Sequence, residues 1–164
     1  MSSSTQRTKA ATNPAIPHMI VRLPTLHLAF ALTELEQVVT LPPIAYSATG
    51  ILGLAPTPDD RAPGQMIVID LYHRLYGNSL ADPAHLLLFR AGDGLLYGLP
   101  VADFPEIQAI PADCFDQPRD THPDGVGLTR QMIKRPTPMG EQTLFIIDGD
   151  SLAQEARHIA ADER

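Results

Sequence analysis

The chain has no tryptophan, a single cysteine and only two lysines among its 164 residues. The lone Cys114 excludes an internal disulfide framework and is typical of a protein in a reducing compartment. Binding to a phosphate backbone needs clustered Lys and Arg, which a net charge of −7 with Lys9 and Lys134 as the only lysines disfavours. The sequence therefore predicts a cytoplasmic protein that does not bind nucleic acid.

Long apolar runs are absent as well. No segment reaches the roughly 18 to 20 apolar residues that a membrane-spanning helix needs, so no membrane insertion is predicted. Residues 1–18 lack the apolar centre of a signal peptide and are rich in Ser, Thr, Pro and Ala. They predict a disordered N-terminal arm.

Motifs for metal binding and catalysis are also missing. The six histidines form no pair at helical or His-x-His spacing, and the aspartates between Asp113 and Asp124 lack the rhythm of a calcium loop. No nucleophile elbow or phosphate-binding glycine loop occurs. We predict no catalytic residue, no metal ligand and no cofactor. A small metal-dependent hydrolase that uses the acidic loop and His122 stays as an alternative.

What the chain does contain is a repeat. Residues 29–35 align with residues 98–104 at a constant shift of 69, and the match continues through Val38 on Ile107. A second pair follows, with residues 66–70 recurring as residues 144–148. Two copies are too few for a solenoid, so the repeat predicts a paired fold made of two small β units.

The local pattern supports β units. Alternation over residues 19–32 predicts a hairpin that turns at Pro24-Thr25, and Gly92-Asp93-Gly94 predicts a second hairpin turn. Asp70 and Asp148 end equivalent strands, which favours roles as helix or turn caps. Further strands are predicted around residues 126–133 and 143–148, with a long exposed loop over residues 111–127. A final helix is predicted over residues 152–161, with Ser151 as its cap.

In this order and spacing, four pieces resemble the CheW family of chemotaxis coupling proteins. The pieces are Ala29-Phe30-Ala31-Leu32, Ile51-Leu52-Gly53-Leu54 with Ile67-Val68-Ile69-Asp70-Leu71, the run from Gly92 to Asp103, and Leu144-Phe145-Ile146-Ile147-Asp148.

The resemblance implies a mainly β fold of two five-stranded barrel-like subdomains from an internal duplication, with short helices and a C-terminal helix. On this alignment the CheW-like domain covers residues 19–152, its two intertwined β subdomains cover about 19–80 and 81–148, and a C-terminal helix or tail covers 149–164.

The resemblance also implies a function. Family members have no catalytic activity and bridge the cytoplasmic tip of a methyl-accepting chemotaxis-type receptor to the regulatory domain of a CheA-type histidine kinase. On this chain the implied receptor-binding residues are Leu35, Gln37, Val39 and Arg61. The implied kinase-binding residues are Phe104, Ile107, Leu128 and Met132.

The chain departs from the family pattern in one loop. An Asn-Leu-Arg-Gly run is common there, whereas this sequence has Gly53-Leu54-Ala55-Pro56 and a longer stretch to Gly64, with Arg61 as the candidate replacement arginine. Gln37 stands where a Glu is often found. These changes leave two readings open. The chain couples a receptor of a chemotaxis, phototaxis or pilus-motility system to its kinase, or it caps or modulates signalling arrays.

Overall fold

The computed structural model describes residues 14–58, 64–116 and 131–163, and most of them form short β-strands. The strands are β1 (Ala15–Arg22), β2 (His27–Ala31), β3 (Leu35–Thr40), β4 (Ala45–Tyr46), β5 (Leu52–Pro56), β6 (Gln65–Ile69), β7 (His85–Arg90), β8 (Leu96–Val101), β9 (Glu106–Pro111), β10 (Gln131–Thr137) and β11 (Gly140–Ile146). The helices are α1 (Leu71–Tyr76) and α2 (Gly149–Asp162), with 3-10 turns at Leu32–Glu34 and Ala112–Asp116.

The strands form two sheets. The order is β10-β11-β2-β1-β9 in the first sheet and β3-β7-β8-β6-β5-β4 in the second. The first sheet has the five strands that the resemblance implies. The second has six, because the two-residue strand β4 adds to its edge beside β5. The predicted fold class, mainly β with two β units and a C-terminal helix, is confirmed.

The two sheets do not coincide with the two halves of the sequence. The second sheet is contiguous in the chain, from β3 to β8, whereas the first combines β1 and β2 with β9 to β11. The division at about residue 80 therefore separates the two sequence repeats, and each repeat contributes strands to both sheets.

The repeat is visible in the strand pairing. Each sheet contains an antiparallel hairpin, β1–β2 or β7–β8, whose second strand pairs in parallel with a strand of the other repeat. That parallel strand is β11 on β2 and β6 on β8. Each repeat thus gives its hairpin to one sheet and its remaining strands to the other, where β3 pairs with β7 and β9 pairs with β1. The strands β1, β2, β3, β5 and β6 are thus equivalent to β7, β8, β9, β10 and β11.

Burial follows this arrangement in three clusters. One cluster lies within the first sheet and includes Ile20 and Leu144, and another lies within the second and includes Val68 and Leu88. The largest joins both sheets and α2, and it is built around Phe30, whose ring centroid is 4.7 Å from that of a second buried phenylalanine, Phe89. Burial of aliphatic and aromatic side chains between the sheets therefore holds the two units together.

Both predicted aspartate caps are confirmed. The Asp70 carboxylate accepts a hydrogen bond from the His73 N–H at the start of α1, and Asp148 accepts from the Ser151 N–H at the start of α2. Ser151 was expected to be the cap of the last helix. Its hydroxyl instead donates to Asp148 at 2.7 Å, and the cap is Asp148, two residues after the end of β11. Gly77 ends α1 with φ +83°, a conformation that favours glycine.

Several boundaries differ from the sequence-based prediction. Strand β1 begins at Ala15, so residues 15–18 of the predicted N-terminal arm belong to the first sheet, where they pair with β9. The predicted loop after Pro111 begins with a 3-10 turn, and its Cys114 and Phe115 pack against the cluster of the first sheet. The rest of that loop, and the first part of the strand predicted over residues 126–133, lie outside the described residues.

Candidate protein-binding surfaces

Three predicted receptor-binding residues lie on β3, an edge strand of the second sheet. Leu35 is half-buried against the central cluster, and Val39 is half-buried against the cluster of the second sheet. Gln37 is exposed, just after an irregularity in the β3–β7 register between Leu35 and Gln37. Of these three residues, Gln37 is thus the one with a largely solvent-facing side chain. Arg61, the fourth, lies outside the described residues.

An ion pair that the sequence did not reveal flanks Gln37. The Arg90 guanidinium on β7 donates to both carboxylate oxygens of Glu36, at 2.9 and 3.0 Å. Both side chains are substantially exposed, so the pair orders the surface more than it stabilises the fold. The hydrogen bond to Glu36 raises the pKa of Arg90. The fixed fork–fork geometry gives this edge a defined polar pattern beside Gln37.

Two predicted kinase-binding residues lie at the free edge of the first sheet. Phe104 is 67% exposed in the turn before β9, and Ile107 on β9 is 60% exposed. The Phe104 ring rests on the His85 ring, with centroids 4.2 Å apart. Two large apolar side chains are therefore exposed within four residues of each other at this edge. We call these two residues, Phe104 and Ile107, the β9 patch.

The other two residues of that set are placed differently. Met132 is on β10, at the opposite end of the strand order from β9, and is half-buried against the central cluster. It does not join the β9 patch. Leu128 lies outside the described residues.

The two sets of candidates occupy repeat-equivalent positions. By the shift of 69, Leu35 corresponds to Phe104 and Val38 to Ile107. The β3 pair is packed against the central cluster, whereas the β9 pair faces solvent. At these repeat-equivalent positions the apolar side chains of one edge therefore pack inward, whereas those of the other edge are exposed.

A groove runs beside the β9 patch at the junction of the two sheets. It has a volume of about 330 Å³ and is lined by Phe104, Val101, Leu23, Leu71 and Tyr72, among others. The residues that line this groove come from β1, β8 and α1, so the groove forms only when both sheets are assembled. A partner that contacts Phe104 would meet this groove as well.

Tyr97 is the titratable residue with the clearest pKa change, and its role is structural. The Tyr97 hydroxyl donates to Asp93 at 2.7 Å, and burial together with this bond raises the pKa of Tyr97 to about 12. Hydrogen bonds from the Leu95 N–H and from Tyr97 lower the pKa of Asp93. Arg157 on α2 reaches the same carboxylate at 3.5 Å. The arrangement attaches α2 to the β7–β8 turn and offers no activated nucleophile or base.

Among the described residues, no three or more His, Cys, Asp and Glu side chains come together in a way that could hold a metal ion. Likewise, no helix within the described ranges has the length and apolar character needed to span a bilayer.

Among the histidines of the described residues, His18 is the one that is almost fully buried. Only 2% of it is exposed, its Nδ1 hydrogen-bonds the Ile16 carbonyl at 3.0 Å, and its ring stacks on Phe115. Burial lowers the pKa of His18, and the bond to Ile16 opposes this only in part. Burial therefore favours the neutral form of the imidazole in the folded state.

This burial predicts a pH-dependent stability. The folded-state pKa of His18 lies below the unfolded value, so its contribution is complete above about pH 6.5 and is lost as the pH falls towards the folded-state pKa. We expect the free energy of unfolding to fall below pH 6.5, by at most about 1.4 kcal/mol per pH unit from this one proton. Urea denaturation across pH 5 to 8 measures it. His18→Phe should flatten the profile; equal slopes in this variant and the unmodified protein would contradict the assignment.

Of the comparisons with known proteins, the one with solved structures bears on the fold. No protein-family model matches the sequence, and no curated protein matches it. Among solved structures, the chain is similar to the scaffolding protein TtCheW from Thermoanaerobacter tengcongensis, with a TM-score of 0.61 and 16% identity over 82% of this chain and 89% of that one. At this identity the likeness establishes the CheW-like fold, as the resemblance implied.

Proposed function

We propose that this chain is a non-enzymatic, cytoplasmic signalling adaptor that couples a chemoreceptor-type receptor to a CheA-type histidine kinase. The observation that carries the proposal is the β9 patch, an exposed apolar edge on a fold similar to that of a scaffolding protein. An adaptor needs two separable surfaces. Edge strands β3 and β9, one in each sheet, supply them.

The kinase side is assigned to the β9 patch. A CheA-type regulatory domain that is itself CheW-like would present a related barrel, and two related barrels that join edge to edge make a pseudo-symmetric, aliphatic contact. Phe104 and Ile107 are both exposed, as anchors of such a contact must be. Met132 is a weaker candidate, since its side chain already packs against the central cluster.

The receptor side is assigned to β3 and its surroundings. Leu35 and Val39 are already packed against buried clusters, so their contribution is chiefly to shape the strand. Gln37 and the neighbouring Glu36–Arg90 pair present the polar groups that a helical receptor tip would meet. Arg61 remains a proposed receptor-binding residue from the resemblance alone.

We expect Gln37→Lys to weaken binding to a receptor cytoplasmic fragment about tenfold, which corresponds to about 1.4 kcal/mol. The added charge falls on an exposed position, so thermal unfolding should be unchanged. Co-sedimentation with the receptor fragment measures the binding. Thr40→Lys is the matched control, because it places the same charge on an exposed residue of the same strand. Equal binding by both variants and the unmodified chain would remove β3 from the receptor surface.

A further inference from the structure

The two sheets differ in what covers one of their faces. On the second sheet, α2 packs across β5, β6 and β8. Its Ala156 and Ala160 lie over the face formed by Leu54, Ile67 and Tyr97, where a small groove remains. Helix α2 therefore covers that face of the second sheet.

The equivalent face of the first sheet is formed by β10, β11 and β2. Leu54 pairs with Ile67 in the second sheet, and Met132 pairs with Phe145 in the first, so Met132 occupies the position of Leu54. The helix equivalent to α2 is α1, because each follows the equivalent strand and begins at the equivalent aspartate cap.

Helix α1 is too short to cover this face. It has 6 residues, whereas α2 has 14. Its last residue, Tyr76, hydrogen-bonds Thr25 in the β1–β2 turn and the chain then leaves at Gly77. On the second sheet, the later turns of α2 cover this face. At the equivalent position, the first sheet has an open cleft of about 960 Å³ between the β1–β2 turn and the β10–β11 hairpin.

The cleft is basic, although the chain is acidic. The described residues contain six Lys and Arg side chains, and three of them line this cleft: Arg22, Lys134 and Arg135. Arg22 pairs with Glu106, while the Arg135 hydrogen bonds go to neutral groups, the side chains of Gln108 and Gln142 and the Ala109 carbonyl. Among the described lining residues, Glu141 is the one carboxylate.

Apolar side chains accompany these charges. Leu26, Met132 and Phe145 line the floor, and Met139 at the tip of the β10–β11 hairpin is 97% exposed. A methionine so exposed beside a cleft is suited to close over an apolar ligand surface, because its unbranched side chain adapts to irregular shapes.

We propose that this basic cleft is a docking groove for an acidic amphipathic helix of a partner protein. The helix lies on β10, β11 and β2 as α2 lies on β5, β6 and β8, with small and aliphatic residues inward and Asp or Glu towards Arg22, Lys134 and Arg135. This surface is separate from β3 and the β9 patch. The docking proposal therefore does not depend on the adaptor function.

The test uses fluorescence anisotropy with synthetic helical peptides of about 14 residues, long enough to match α2. One peptide has Leu and Ala at i, i+3, i+4 and i+7 and Glu elsewhere, and the other has Lys in place of Glu. We expect the acidic peptide to bind the full chain at least tenfold more tightly than the basic one. Lys134→Glu and Met132→Glu should each weaken the acidic peptide at least fivefold, and Lys134→Glu should narrow the difference between the two peptides.

The control is Leu54→Glu, the same change at the equivalent, partly exposed position of the second sheet. It should leave peptide binding unchanged, and thermal unfolding should show that all three variants are folded. The proposal is overturned if the two peptides bind equally, or if Leu54→Glu has the same effect as Met132→Glu. It is also overturned if the acidic peptide binds only after residues 117–130 are replaced by a glycine-serine linker, since the chain's own segment would then occupy the groove.

Discussion

Replacing Phe30 with alanine should lower the free energy of unfolding by about 3 to 5 kcal/mol. Phe30 is fully buried in the central cluster and stacks on Phe89, and it comes from the first sheet while Phe89 comes from the second. The truncation removes apolar packing between the two units. It leaves a cavity, because two hydrogen-bonded sheets cannot move together to fill it. Equilibrium denaturation in guanidinium chloride measures the loss.

Phe104→Ala is the matched control for this stability prediction. The same atoms are removed, but from a side chain that is 67% exposed, so the loss should be no more than about 0.5 kcal/mol. If Phe104→Ala loses as much stability as Phe30→Ala is predicted to lose, Phe104 is a core residue. If Phe30→Ala loses as little as Phe104→Ala is predicted to lose, the contact between the two sheets is not a main source of stability.

Phe104→Asp should weaken binding to a CheA-type kinase regulatory domain by about 30-fold or more, the loss typical of an interface anchor worth about 2 kcal/mol. A carboxylate in the centre of an apolar contact loses its hydration without gaining a partner. Because the side chain is exposed in the free protein, the fold and the binding of the receptor fragment should be unaffected. Isothermal titration calorimetry with the isolated regulatory domain measures the effect.

Leu95→Asp serves as its control, since Leu95 is an exposed leucine in the β7–β8 turn of the other sheet. This variant should bind the kinase domain as the unmodified chain does. If Phe104→Asp is folded and retains full affinity, the β9 patch is not the kinase surface. If both variants lose affinity, the effect is one of net charge.

Much of the fold follows from the sequence because the repeat constrains it. The constant shift that aligns Ala29 with Gly98 places equivalent strands in both units, and the Asp-Gly turn at Asp93 and the caps at Asp70 and Asp148 are local signals whose chemistry depends on few neighbours. These elements are predicted and confirmed.

The sequence could not predict which strands pair with one another. Alternation shows which face of a strand is buried and says nothing of its neighbour, so the sequence did not predict which strands of each repeat join which sheet. Strand β4 is only two residues long and leaves no periodic pattern. The short α1 and the open cleft beside it depend on where Gly77 stops the helix relative to the other sheet, which is a tertiary property.

The candidate site was predicted only in part for a similar reason. Leu35 and Phe104 are equivalent apolar residues in the repeat, and nothing in the sequence distinguishes the one that packs inward from the one that faces solvent. The structure separates them, with Leu35 against the central cluster and Phe104 exposed. The roles of both in binding remain predictions.

The most direct test of the adaptor function is a three-component reconstitution. The receptor cytoplasmic fragment and the kinase regulatory domain are mixed with and without this chain, and the complexes are resolved by analytical ultracentrifugation. The account predicts one species containing all three components, which depends on this chain, loses only the kinase domain with Phe104→Asp and loses only the receptor fragment with Gln37→Lys. The account is contradicted if the chain binds neither component, or if both variants release the same one.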